Sequence, residues 1–235
     1  MKQVMFTLAV LLNAYMLSAC SINIGADRSA GHYERDAAGY GANDGVIERS
    51  LSVRPFTALE CRLPASVTYV QTNDQAPKVV LKGAPAMVER CVVDVRDGKL
   101  QLYLVQKAKQ SMKRFSQSRN QLNITVYGGR LTALAVQSAC TFYAAQLETS
   151  QLALSNAGAS SIRVGRFAGQ QLTMSCSGAS STKLAGNVAK LMLNVTGASS
   201  FVANEFTTQD LKAKVSGAST AKCALQGSAG VDVSG

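Results

Sequence analysis

Leu172-Thr173-Met174-Ser175-Cys176-Ser177-Gly178-Ala179-Ser180-Ser181-Thr182-Lys183-Leu184 carries apolar side chains at alternate positions up to a central Gly-Ala-Ser, and resumes the alternation beyond it. Alternation with a period of two marks a strand with one face buried, because successive side chains point to opposite faces. A helix would need apolar residues three and four apart, and this stretch lacks that spacing. Near-copies of the phrase lie on either side. They are Ala157-Gly158-Ala159-Ser160-Ser161, Thr196-Gly197-Ala198-Ser199-Ser200 and Ser216-Gly217-Ala218-Ser219-Thr220, with a degenerate first copy in Gln137-Ser138-Ala139-Cys140-Thr141. The glycine position recurs every 19 or 20 residues. A fixed short period is the signature of a solenoid, in which each coil buries its apolar face only against its neighbours.

The same parity defines the expected core. Leu152 and Leu154, Leu172 and Met174, Leu191 and Leu193, and Leu211 with Val215 precede the glycines. Ile162 and Val164, Thr182 and Leu184, Phe201 and Ala203, and Ala221 and Cys223 follow them. Stacked coils place equivalent residues about 4.8 Å apart, so these positions form internal columns. The alternation also puts the glycine on the inward parity, where it marks a bend or a close backbone approach. The opposite parity carries Ser177, Ser181, Thr196, Ser200, Ser216 and Thr220. These are candidates for an outward hydroxyl face, or simply a soluble strand surface.

Upstream the pattern is still β but less regular. Val93 and Val95, then Asp97-Gly98, then Leu100, Leu102 and Leu104 predict a hairpin. Val67, Tyr69 and Gln71 form one alternating run, and Leu122 to Tyr127 another. No stretch here has helical spacing. The expected architecture is all-β, a single-stranded right-handed parallel β-helix with a less regular β N-terminal portion and regular coils from residue 131.

Residues 1–19 read as a signal segment. Lys2 opens it, Met5 to Met16 is mostly apolar and too short to span a bilayer, and Leu17-Ser18-Ala19-Cys20 closes it. The closing tetrapeptide resembles the lipobox of bacterial lipoproteins. That resemblance implies cleavage before Cys20, acylation of its thiol and new amine, and, with Ser21 next, an outer-membrane destination. Several acyl chains anchor stably where one does not. Residues 20–45 carry scattered glycines and His32, the only histidine, and read as a tether. The folded domain is expected over residues 46–235.

Net charge is +10 at pH 7. Lys107, Lys109, Lys113, Arg114 and Arg119 fall in one polar stretch without an acid, a candidate contact for an anionic surface or simply a solvated loop. The stretch lacks the interleaved aromatics that nucleic acid binding favours, so nucleic acid is not an expected partner. The cysteines show no metal spacing. Cys140, Cys176 and Cys223 fall on inward parity, while Cys61 and Cys91 either pair in an oxidising envelope or stay buried as thiols. Leu131 to Ala203 holds one carboxylate, Glu148, where glycoside hydrolysis uses a pair. No catalytic site, cofactor or metal is expected.

Arg54-Pro55-Phe56-Thr57-Ala58-Leu59-Glu60, Val67-Thr68-Tyr69-Val70-Gln71, Val95-Arg96-Asp97-Gly98-Lys99-Leu100-Gln101-Leu102 and then the Gly-Ala-Ser coils resemble, in that order, the putative auto-transporter adhesin, head GIN domain, family. The resemblance covers about residues 46–235. It implies a β-helix carried on a bacterial lipoprotein and a binding role at the cell envelope. With the hydroxyl rows and the basic stretch, the expected partner is a glycan, lipopolysaccharide or a host surface. The alternative is a periplasmic scaffold that contacts peptidoglycan or a protein. A polysaccharide-acting enzyme is the least favoured reading. The last coil has no charged cap, so its edge is expected either to pair with a second copy or to be covered by the chain itself.

Overall fold

The computed structural model describes residues 4–9, 45–73, 75–105 and 122–234. The regular coils run through β9 (Ala133–Gln137), β10 (Thr141–Glu148), β11 (Gln151–Asn156), β12 (Ser161–Cys176), β13 (Ser181–Val195), β14 (Ser200–Ser216) and β15 (Thr220–Ser234). All pair parallel to the equivalent strand of the next coil. Each long strand bends partway, and register shifts such as that between Val164 and Phe167 mark the bends. The result is a β-solenoid of about 5 turns.

The expected columns form. Leu152, Leu172, Leu191 and Leu211 stand in register, as do Leu154, Met174, Leu193 and Ala213, and all are buried. Each fully buried aliphatic side chain contributes about 1.5–3 kcal/mol relative to exposure. Wider parts of the interior take Phe142, Phe167, Phe201 and Phe206.

At the glycine the structure departs from simple alternation. Gly158, Gly178, Gly197 and Gly217 have φ between 71° and 79° and face solvent. The left-handed residue turns the chain through a corner, so the glycine points outward while Ser160, Ser180, Ser199 and Ser219 are buried. Corners are stitched coil to coil: Ala179 N–H donates to Gly158 O at 2.9 Å and Ala198 N–H to Gly178 O at 2.8 Å. Ser138 occupies the same place in the degenerate coil with φ 69°.

The buried polar groups beneath the corners are hydrogen-bonded to one another and to backbone carbonyls. Asn156 Nδ2 donates to Ser181 O and to Thr182 Oγ1, each at 2.8 Å, and Ser160 Oγ reaches Asn156 Oδ1 and Ala157 O. Ser219 Oγ donates to Ser216 O at 2.8 Å. Pairing is what makes such groups tolerable inside, since an unpaired buried one costs about 1–3 kcal/mol.

The less regular N-terminal portion contains further coils, stacked out of sequence order. β3 (Ala58–Arg62) lies between β9 and β7 (Lys99–Leu104). Likewise β4 (Ser66–Gln71) lies between β10 and β8 (Asn123–Gly128). The chain therefore makes one coil, leaves it, builds the end of the stack, returns below and steps over its own first coil to reach β9. The step is at Gly128-Gly129. A Cβ on Gly128 would lie 2.7 Å from the Phe56 ring, and the Tyr69 hydroxyl donates to Gly129 O at 2.5 Å. Burial pushes the Tyr69 phenol well above its usual pKa.

The end of the stack is closed by antiparallel strands. β2 (Ile47–Ser52) and β5 (Lys78–Gly83) cap one side, and β6 (Cys91–Arg96) caps the other through the expected hairpin with β7. Asp97 and Gly98 both have positive φ, as a two-residue hairpin turn of this twist requires. Between β5 and β6 the sequence reading missed a short helix, α1 (Pro85–Arg90), which buries Met87 and Val88. Six residues carry too little periodicity to be recognised. At the other end β1 (Val4–Ala9) lies antiparallel on Thr220 to Leu225 of β15, so the chain itself covers that part of the edge.

Candidate functional site

Side chains that point outward from the first part of each coil build one continuous sheet face. Its first column is Ser66, Thr141, Ser161, Ser181, Ser200 and Thr220, all in register on successive strands. Its second column, two residues further along, is Thr68, Tyr143, Arg163, Lys183, Val202 and Lys222. Tyr143 is 41% exposed, and Arg163 and Lys183 also face solvent. At the far end Lys78 Nζ sits 4.6 Å from the Tyr127 ring centroid.

The candidate hydroxyls separate into two groups. Ser181, Ser200 and Thr220 belong to the first column of this face. Ser177, Thr196 and Ser216 lie across the Gly-Ala corner, at the edge of the neighbouring face. Side chains of both groups are half-buried, because the corner backbone shields them. Sequence reading missed Ser66, which belongs to the coil stacked out of order. It also passed over Thr141, Ser161 and the second column, although their constant offset from the glycine position was available as a signal.

The neighbouring face is formed by β7, β3, β9, β11 and the later halves of β12, β13 and β14. Ala58, Ala133, Ala135 and Ala153 make the floor of a shallow recess of about 320 Å³, with Glu60 and Lys99 at one end. Glu60 is held by Arg62 Nε at 3.4 Å and by Gln101 Nε2 at 3.4 Å. Here cations meet acids in register: Lys190 stands opposite Asp210, and Lys214 opposite Asp232.

Lys107, Lys109, Lys113, Arg114 and Arg119 lie outside the described residues, as do Cys20 and His32. In sequence the basic stretch falls between β7 and β8. Among the described residues, no group of three His, Cys, Asp or Glu is placed to hold a metal ion. No helix among them is long and apolar enough to cross a membrane.

The described cysteines are free and buried. Cys61 and Cys91 are therefore not joined, and the thiol that Cys61 contacts is Cys140. That hydrogen bond, followed by burial, raises the Cys61 pKa. Burial also pushes Cys91 up to about 12 and Cys176 up to about 11. Thiols of this kind are packing groups rather than nucleophiles.

The model of the putative auto-transporter adhesin, head GIN domain, family matches residues 55–235. The chain belongs to this family. The head GIN match spans both the irregular coils and the Gly-Ala-Ser coils. No curated protein matches the chain. A crystal structure of a putative adhesin from Bacteroides fragilis is similar, with TM-score 0.64 and 16% identity over 81% of this chain and 93% of that one. One of a putative lipid binding protein from Parabacteroides distasonis has TM-score 0.57 and 13% identity over 82% and 94%. One of a putative adhesin from Parabacteroides merdae has TM-score 0.54 and 12% identity over 81% and 97%. At these identities the likeness establishes the fold.

Proposed function

We propose that this head GIN chain is a non-catalytic binding module of the cell surface, acting as an adhesin through the sheet face that carries Ser161, Ser181, Ser200 and Thr220. The observation that carries the reading is that column. Hydroxyls on successive coils, about 4.8 Å apart, form an ordered row of donors and acceptors on a stiff support. Such a row suits an extended, repetitive partner such as a glycan, because little ordering entropy remains to be lost by the protein on binding. The family description and the two adhesin neighbours support the same role. Cys20 supplies the anchor in this reading, and the residues between it and the domain supply the reach.

Two variants test the reading. Ser181→Trp with Ser200→Trp places bulk on the half-buried column and is expected to abolish binding of the chain to envelope or host glycans on an array. The folded far-ultraviolet spectrum should be retained. Array binding unchanged in the double variant would reject this face. Cys20→Ala is expected to move the protein from the membrane fraction to the soluble fraction, and full retention in the membrane would reject the anchor.

A further inference from the structure

Arg163 and Lys183 are opposite each other on adjacent parallel strands, and Lys222 lies in the same column two coils beyond Lys183, with Val202 between. Like charges directly across a strand pair destabilise a sheet. None of the three forms an ion pair with a described residue, whereas Arg62–Glu60, Lys82–Glu48 and Arg96–Asp94 do pair. The nearest acid in register, Glu205, is opposite Ala185, outside the column. On the neighbouring face Lys190 and Lys214 have acids in register, Asp210 and Asp232, and the cation opposite Lys99 is Arg96, which Asp94 pairs at 2.6 Å. The Arg163, Lys183 and Lys222 column has no such acid in register, and a local rule broken without a compensating partner points to a binding site.

Two further observations say what binds. Tyr143 precedes Arg163 in the same column and is one of the few large apolar side chains left exposed. The hydroxyl column runs beside the cations along the same line. An aromatic face, a row of hydroxyls and a line of unpaired cations match a sugar ring face, sugar hydroxyls and a repeated acidic group. We propose that the strip from Tyr143 through Arg163 and Lys183 to Lys222 binds a linear acidic polysaccharide. This rests on the binding-module reading above and specifies its ligand. A membrane surface is less well matched, because interfacial binding buries a broad apolar face with the cations. Single-stranded nucleic acid is less well matched, because successive bases need successive aromatic platforms, and the strip has one.

The test titrates the full chain with polygalacturonate and with dextran sulfate. Neutral dextran, phosphatidylglycerol vesicles and a thymidine oligonucleotide serve as comparisons. Expected is binding to at least one acidic polysaccharide that weakens as salt rises. Arg163→Gln with Lys183→Gln and Lys222→Gln should weaken it by about tenfold or more and flatten its salt dependence. Tyr143→Ala should weaken binding while leaving the salt dependence in place. Lys190→Gln with Lys212→Gln, on the neighbouring face, should change nothing. Wild-type affinity in the triple variant, or binding to vesicles or oligonucleotide but to neither acidic polysaccharide, would overturn the proposal. Binding of neutral dextran by the wild type as tight as that of both acidic polysaccharides would also overturn it, yet would leave the binding-module reading standing. Loss of all glycan binding by the wild type would defeat that broader reading instead.

Discussion

A Cβ on Gly178 would lie 2.8 Å from the carbonyl oxygen of Gly158 in the coil beneath. The contact is with backbone, which is itself held by the Ala179 N–H to Gly158 O hydrogen bond. Gly178 also has φ 77°, a region costly for any residue with a Cβ. Strain and steric overlap therefore act together at one atom. Gly178→Ala is expected to destabilise the domain by about 2 kcal/mol or more. Gly230→Ala, where an added Cβ meets nothing within 4 Å, should stay within about 0.5 kcal/mol. Urea midpoints of the two variants make the comparison.

The buried thiols give the fold a weakness in alkali. Cys176 has a pKa near 11 in the folded chain, raised by burial from 9.0. Below pH 9 neither folded nor unfolded thiol is ionised, and its contribution is fully present. Between pH 9 and about 11 the unfolded thiol releases its proton and the folded one does not, so stability falls as pH rises. The loss is about 1.4 kcal/mol per pH unit for one thiol. Cys176→Val should reduce the slope of stability against pH in that window. An unchanged slope would show that the Cys176 thiol ionises equally in both states.

Beyond Leu225 the edge of β15 has no strand on its outer side among the described residues. Val231 and Val233 continue the inward column of Ala213 and Val215, yet they are 46% and 41% exposed. An uncovered edge with apolar side chains pairs readily. If the leader is removed as the lipobox resemblance implies, the β1 strand goes with it and the bare edge lengthens. Sedimentation of the chain lacking residues 1–19 should show concentration-dependent dimers, and Val231→Lys should remove them. A monomer at all concentrations would mean that this edge does not pair.

Much of this was legible because each coil repeats the same physics. Leu172, Met174 and Leu184 could be placed inside from alternation alone, and Asp97-Gly98 could be placed in a hairpin from turn chemistry alone. Gly178 could not be oriented, since a left-handed corner turns one inward-parity residue out without disturbing the parity beyond it. The stacking order was also hidden. Ser66 joins the hydroxyl column only because Gly128 and Gly129 let the chain cross close to Phe56 and Tyr69, and no local pattern announces such a crossing. The cation column was hidden differently: Arg163, Lys183 and Lys222 are unremarkable singly, and only register shows that no acid separates them.

The most direct test of the central claim is protease shaving of intact cells against lysed cells, following the folded domain with an antibody. Loss of the signal from intact cells is the predicted result, because a surface adhesin must present its sheet face outside. Protection until lysis would contradict it and would place the same face toward the periplasm.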